Sequence, residues 1–296
     1  MFDLIRFFEK KEYVTDFLNG NFYMNSIGHF WGLSSAVQND IAEGIGESMD
    51  TESFMNKYGV NYTQVFDGHL LLPIMNRIEA MKYVHVCCLS LHEYDDNAKI
   101  VSTIPSEMRK MGNYAVRVKN IRVFVERIFK KVKSKGLYGL MGPVDYHALS
   151  EKIRYMDCFD KYMNHAFEKE WRFALIPDYN RARKLAADDE NRIYDEHTIF
   201  KIGEINDIAE EIDIDLLFNN IGKLYSANGT AYKVVDEMPI LWKKRKVKIE
   251  KMMNDGIPFF YDAYPNQYVG WSPRESFRNK IMELDNGKFK PVLIIG

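Results

Sequence analysis

A chain of 296 residues, with 46% hydrophobic and 28% charged residues, has an ordinary globular composition. It is long enough to bury a large core and close to the length at which chains divide into domains. Lys and Arg number 40 against 42 Asp and Glu, a net charge of −2. That balance excludes a protein that coats nucleic acid over its whole surface, while leaving room for a local basic groove. The expected address is the cytoplasm. Charges at Asp3, Arg6, Glu9, Lys10 and Lys11 break any leader-type apolar run, and no stretch of about 18 apolar residues is present to span a membrane. Cys87, Cys88 and Cys158 make neither a metal-ligand pattern nor a disulfide framework, so buried free thiols are expected.

In chain order, FDLIRFF at 2–8 reads as a short strand with Arg6 inside it. Residues 9–19 read as a helix with Tyr13, Val14, Phe17 and Leu18 on one face and Gly20 as its stop. NFYMNS at 21–26 is a second strand, and KYVHVCCLSL at 82–91 a buried one. A strand at 113–119 precedes an amphipathic helix at 120–135 that ends in a basic KKVKSKG. Residues 137–147 suggest another strand, 149–169 a helix, and EWRFALI at 170–176 a strand stopped by Pro177. The polar stretch 178–197 reads as an exposed excursion, followed by a strand at 198–202 and a helix near 206–220. Strands far apart in sequence must pair, which gives an α+β fold: a mixed, largely antiparallel sheet core with flanking helices. One continuous domain over 1–296 is expected, with 198–296 as the place for a helical and aromatic extension.

The residues with most chemistry lie in FEKEWRF at 167–173. Glu168 and Glu170 stand at the start of an apparent strand, where residues two apart point the same way, so both carboxylates are expected to face one site, with Arg172 extending the row. Two close carboxylates do not ionise alike, so one can act as base while the other orients a substrate. A surface row of ion pairs is the plain alternative. Arg6 in an apolar strand needs either an anion to clamp or an exit to solvent. Ser90 places a hydroxyl near the end of a buried strand, where a bond to backbone is the ordinary use. In QNDIAEG at 38–44, Asp40 and Glu43 suit a helix cap; a polar loop that holds a ligand or orders Arg6 is the functional alternative. The scattered histidines suggest no metal site.

Taken in order, Arg6, Gly20 with NFYMNS, QNDIAEG, CCLSL and EKEWRF resemble a large, poorly characterised bacterial family whose members read R…G.L.F, FNDPFE, CFS and E.EWR. Asn39 and Asp40 match the second motif, and its Pro is missing here. The Arg, Ser, Glu-x-Glu order is also similar to the Arg-Ser-Glu class of ADP-ribosyltransferases. That resemblance implies an ADP-ribosyltransferase-like fold and NAD as a bound substrate. Arg6 would hold its phosphates or ribose, Ser90 would brace the nicotinamide pocket, and Glu170 would hold the nicotinamide ribose. Glu168 becomes the carboxylate facing the acceptor, with Tyr23 or Trp171 flanking the nicotinamide and Asn39 and Asp40 near the cofactor. A protein or nucleic acid would be the acceptor, in a toxin or phage-conflict role. Two other readings stay open: a metal-dependent nuclease using Asp40, Glu168 and Glu170 with the basic stretches at 130–135 and 243–248, and a non-catalytic binder whose contact surface is the aromatic stretch 257–271.

Overall fold

The structure is a computed structural model, and it describes residues 2–31, 45–49, 74–93, 104–147, 157–188, 196–219, 261–262, 273–284 and 289–293. The strands are β1 (Phe2–Phe8), β2 (Asn21–Ser26), β3 (Ile45–Met49), β4 (Ile74–Ile78), β5 (His85–Glu93), β6 (Tyr114–Val118) and β7 (Tyr138–Pro143). They continue with β8 (Asp145–His147), β9 (Asp160–Tyr162), β10 (Glu170–Ile176), β11 (His197–Lys201), β12 (Ala209–Ile212), β13 (Tyr261–Asp262) and β14 (Phe289–Leu293). The α-helices are α1 (Lys11–Leu18), α2 (Ile27–Phe30), α3 (Ile121–Ser134), α4 (Tyr179–Asp188), α5 (Ile214–Asn219) and α6 (Pro273–Leu284).

A nine-stranded sheet runs β12–β6–β1–β5–β10–β7–β13, with β2 paired to β5 and β11 paired to β2. Every pairing within it is antiparallel. A smaller antiparallel sheet joins β14, β4 and β3, and β8 and β9 form a short parallel pair. The chain is therefore mixed α and β, with strands distant in sequence brought together as expected. No described helix is long and apolar enough to cross a membrane.

Alternation along the strands builds two faces. On one, Leu4 and Phe8 of β1, Leu89 and Leu91 of β5 and Trp171 and Phe173 of β10 pack beneath α1 and α3. Phe17 of α1 stacks on Phe22 of β2 at 4.8 Å between ring centroids, and Phe124 of α3 meets Phe22 at 5.5 Å. Full burial of a side chain such as Phe124 is worth roughly 1.5–3 kcal/mol. The opposite face carries two separate clusters. One gathers Ile27, Val86 and Leu140 with Phe277 and Ile281 of α6. The other holds Ile5, Met108, Ala115 and Phe218.

Helix α3 shows why the local reading succeeds there. Phe124, Val125, Ile128 and Val132 are buried at helical spacing, Asn120 accepts a hydrogen bond from the Val123 N–H at 3.1 Å, and Gly136 ends the segment at φ +62°. Elsewhere tertiary pairing overrides the local pattern. The helix expected over 149–169 is, in its described part, the strand β9 and a 3-10 turn at Met163–Glu168. The helix expected near 206–220 divides into β12, which pairs with β6, and the short α5. The strand expected over 137–147 breaks at Val144, whose N–H turns to the carbonyl of Glu170 at 3.0 Å. Part of the polar stretch 178–197 is α4.

The turn after α1 tests this packing. Gly20 sits at φ +74°, and a Cβ there would lie 1.8 Å from the carbonyl oxygen of Gly203, whereas Gly203 at φ +89° has open space around it. Gly203→Ala should cost only the left-handed backbone, about 1–2 kcal/mol. Gly20→Ala must also displace backbone and should cost at least about twice that by chemical denaturation. Equal losses would contradict the close approach of the two turns.

Candidate functional site

The sheet forks at its centre. β1 pairs with β5 from Phe2↔Glu93 to Ile5↔Ser90, while β2 pairs with the same edge of β5 only at Val86 and His85. β10 covers the opposite edge of β5 continuously from Ser90 to His85. Between Ser90 and Val86 that first edge therefore has no strand partner among the described residues, and β1 and β2 diverge from it. A cavity of about 230 Å³ opens at this fork, between the two apolar clusters of that face. Its walls come from β1, β2, α2, β5 and the 3-10 turn at Ser106–Met111, and its polar floor from β9 and β10.

Arg6 stands at the fork. It shares its strand face with Leu4 and Phe8, so its side chain leaves β1 toward the α1 layer. The guanidinium lies 5.4 Å from the Phe8 ring and 5.3 Å from the Phe17 ring. It donates to the Tyr23 carbonyl at 2.9 Å, tying the two diverging strands together, and to Cys87 Sγ at 2.6 Å. Among the described residues no carboxylate is within ion-pair distance of it. An uncompensated guanidinium at the edge of a cavity is a site for an anion, held through its two-pronged donor geometry.

The floor is a buried network of opposite charges. Lys161 Nζ bridges both acids, 2.7 Å from Glu168 Oε2 and 3.1 Å from Glu170 Oε2. Arg172 closes on Glu170 with Nε at 2.7 Å from Oε1 and Nη2 at 3.0 Å from Oε2, and its Nη1 donates to the Cys158 carbonyl. His165 Nδ1 lies 3.1 Å from Glu168 Oε1. Burial pushes the Glu170 carboxyl up, but the charges of Arg172 and Lys161 and hydrogen bonds from Arg172 and Cys88 outweigh it. The net effect holds Glu170 ionised, well below the usual carboxylate range. Tyr146 approaches from β8, its hydroxyl accepting the Glu170 N–H at 2.9 Å. Burial, reinforced by the negative charges of Glu168 and Glu170, raises the Tyr146 phenol well above its ordinary value.

The two carboxylates converge for a different reason from the one that strand spacing suggests. β10 begins only at Glu170. Glu168 ends the preceding 3-10 turn, and Lys169 between them takes a left-handed conformation at φ +48°. Such a backbone costs a non-glycine residue energy, so the surrounding contacts must impose it. The Lys169 carbonyl accepts from the Leu91 N–H at 2.9 Å, and Ser90 Oγ donates to the Glu168 carbonyl at 2.5 Å. Ser90 thus fixes the turn that presents Glu168.

Arg6, Tyr23, Ser90, Glu168 and Glu170 all line this one cavity. Trp171 does not: it alternates to the other face of β10, fully buried in the α1 and α3 layer, so it has no ring to offer a ligand here. Flat walls come from Tyr23, Phe7 and Phe30 instead. Asn39 and Asp40 lie outside the described residues, as does most of 257–271. Sequence reasoning missed Lys161, Tyr146 and His165. The parallel pair β8–β9 sets Tyr146 beside Lys161 in register, a juxtaposition with no local signature. Among the described residues no group of three or more His, Cys, Asp or Glu is placed to hold a metal ion. No family model, curated protein or solved structure matches the chain.

Removing the bridging cation tests the network. Lys161→Met leaves buried carboxylate charge uncompensated and should destabilise the fold by about 3–5 kcal/mol at neutral pH. Losing the cation raises the folded-state pKa of Glu170, which Lys161 helps hold down, so the variant's folded state binds protons more readily than the parent's and the deficit should grow as pH rises through the carboxylate range. Unfolding midpoints of the two proteins across that range check it; a pH-independent deficit would contradict the assignment.

Proposed function

We propose that the fork cavity binds NAD and that the chain is an ADP-ribosyltransferase-like enzyme, transferring ADP-ribose to a protein or nucleic-acid acceptor. One observation carries this reading: Arg6, Ser90 and Glu170, which match the Arg-Ser-Glu order, converge on one cavity with Glu168 beside them. Their chemistry suits the reaction. Breaking the bond between nicotinamide and ribose sends the bonding pair to the departing nicotinamide and builds positive charge on the ribose. An ionised, immobile carboxylate beside that centre stabilises the transition state without reorganising. Glu170 has that character, because Arg172 and Lys161 fix both its charge and its orientation.

The other roles follow from position. A cavity of about 230 Å³ suits the nicotinamide-ribose end of a dinucleotide, with the phosphates reaching outward to Arg6. Tyr23 and Phe7 offer faces for the flat ring. Glu168, tethered by Lys161 and near His165, is the carboxylate toward which the acceptor's nucleophile would lose its proton as it bonds to the ribose carbon. Nothing in the described geometry favours a metal-dependent nuclease, since Glu168 and Glu170 already spend their oxygens on Lys161 and Arg172.

Turnover is the test. Chromatographic detection of nicotinamide should show slow release from NAD by the purified chain. Glu170→Gln, confirmed folded by circular dichroism, should lower that rate by about 100-fold or more. Absence of release by the parent protein, or full release by the variant, would overturn the proposal.

A further inference from the structure

The fork cavity is too small for a whole dinucleotide. At about 230 Å³ it falls below the roughly 300–1,000 Å³ of clefts that enclose a drug-sized ligand, so the phosphates and adenosine of NAD must leave by its mouth. Toward β1 the way is shut. Met108 of the 3-10 turn is buried, and Phe7 packs on Phe218 of α5 with ring centroids 6.1 Å apart. Toward β2 it is open. Arg6, the anion donor of the fork, is bonded to the Tyr23 carbonyl at 2.9 Å, so a phosphate held there already lies beside β2.

Beyond the mouth, β2 and β11 present a distinct surface. Register sets Asn21, Tyr23 and Asn25 of β2 opposite Lys201, Ile199 and His197 of β11. The residues that alternate with them, Phe22, Met24 and Phe200, are buried in the α1 and α3 layer. The six therefore stand on the cavity face, where Tyr23 and Asn25 also line the cavity, and none of them is acidic. Among the described residues three large hydrophobic side chains are exposed. Two of the three, Tyr23 at 48% and Ile199 at 51%, are direct partners across these strands. His197, also exposed, stacks on the Tyr23 ring at 4.8 Å between centroids and 22° between planes. Single exposed apolar groups are ordinary, but this pair meets at the rim of a cavity and is extended by a flat imidazole. The patch is far smaller than a macromolecular interface, which takes roughly 20–30 residues a side. Its extent matches one planar base, stacked on the rings, with the Asn21 and Asn25 amides at its border able to donate to and accept from the base edge.

We infer that this platform holds the adenine of NAD, the base extending the Tyr23–His197 stack and resting on Ile199. The inference rests on the dinucleotide reading of the fork cavity and adds the seat of the second nucleotide. Tyr23 divides the two ends of the ligand, and Arg6 holds the phosphates between them.

Calorimetric titration of the full chain with NAD, nicotinamide mononucleotide and ADP is the experiment. The parent should bind all three, and NAD most tightly because it joins both ends. His197→Ala with Ile199→Ser, at positions that do not line the cavity, should weaken NAD and ADP at least about 5-fold and leave nicotinamide mononucleotide unchanged. Tyr13→Ala, a comparably exposed ring on α1, should change none of the three affinities. Unfolding midpoints establish that each variant is folded, and the milder His197→Gln reads the same split in a smaller step. NAD bound no more tightly than nicotinamide mononucleotide, an unchanged NAD affinity in the platform variant, or an equal loss for NAD and nicotinamide mononucleotide would overturn this inference and leave the cavity assignment in place. Absence of binding by all three would overturn the dinucleotide reading and this inference with it.

Discussion

The site depends on one buried interaction, the bridge that Lys161 makes between Glu168 and Glu170 while Arg172 grips Glu170 from the other side. Such a network is a poor source of stability, because taking four charged groups out of water costs about as much as their attraction returns. Its value is geometric. Two carboxylates from different elements, one ending a 3-10 turn and one opening a strand, are held toward the same space. Each is ionised or braced by a partner that cannot leave without exposing a buried charge. Ser90 and the left-handed Lys169 belong to this arrangement, since both shape the turn that delivers Glu168.

The fork in the sheet supplies the space. Antiparallel pairing of β5 with β10 runs without interruption on one edge, so the floor is rigid. On the other edge β1 and β2 claim opposite ends of β5 and leave its middle to the cavity. Arg6 is the only described side chain that both crosses this opening and carries an uncompensated charge beside it. The apolar surroundings make that charge effective. Its guanidinium rests on Phe8 and Phe17, where attraction to an incoming anion is weakened less by water than at an open surface.

Much of this frame is legible in the residues alone, for physical reasons. FDLIRFF, NFYMNS and EWRFALI alternate or run apolar between clear stops, so β1, β2 and β10 are set by local pattern. Arg6 stands out because a lone guanidinium in an apolar strand demands a partner. The face of Trp171 follows from that same alternation: if Glu170 and Arg172 point into the cavity, Trp171 points away, and it does. What local pattern does not contain is the partner of each charge. Lys161 sits in CFDKYMN with nothing to mark it; its role arises from the register of β8 with β9 and the return of that pair onto β10. Residues 160–168 carry helix-compatible side chains, yet the pairing of β9 and the ion pairs from Lys161 and His165 bind them into a strand and a tight turn.

The most direct measurement is a calorimetric titration of the full chain with NAD, repeated with Arg6→Gln. Saturable binding at one site, weakened at least about 10-fold when the two-pronged donor at the fork is removed, is the predicted result. No heat of binding at millimolar NAD, or equal affinity in the two proteins, would contradict the assignment of the fork cavity to a dinucleotide.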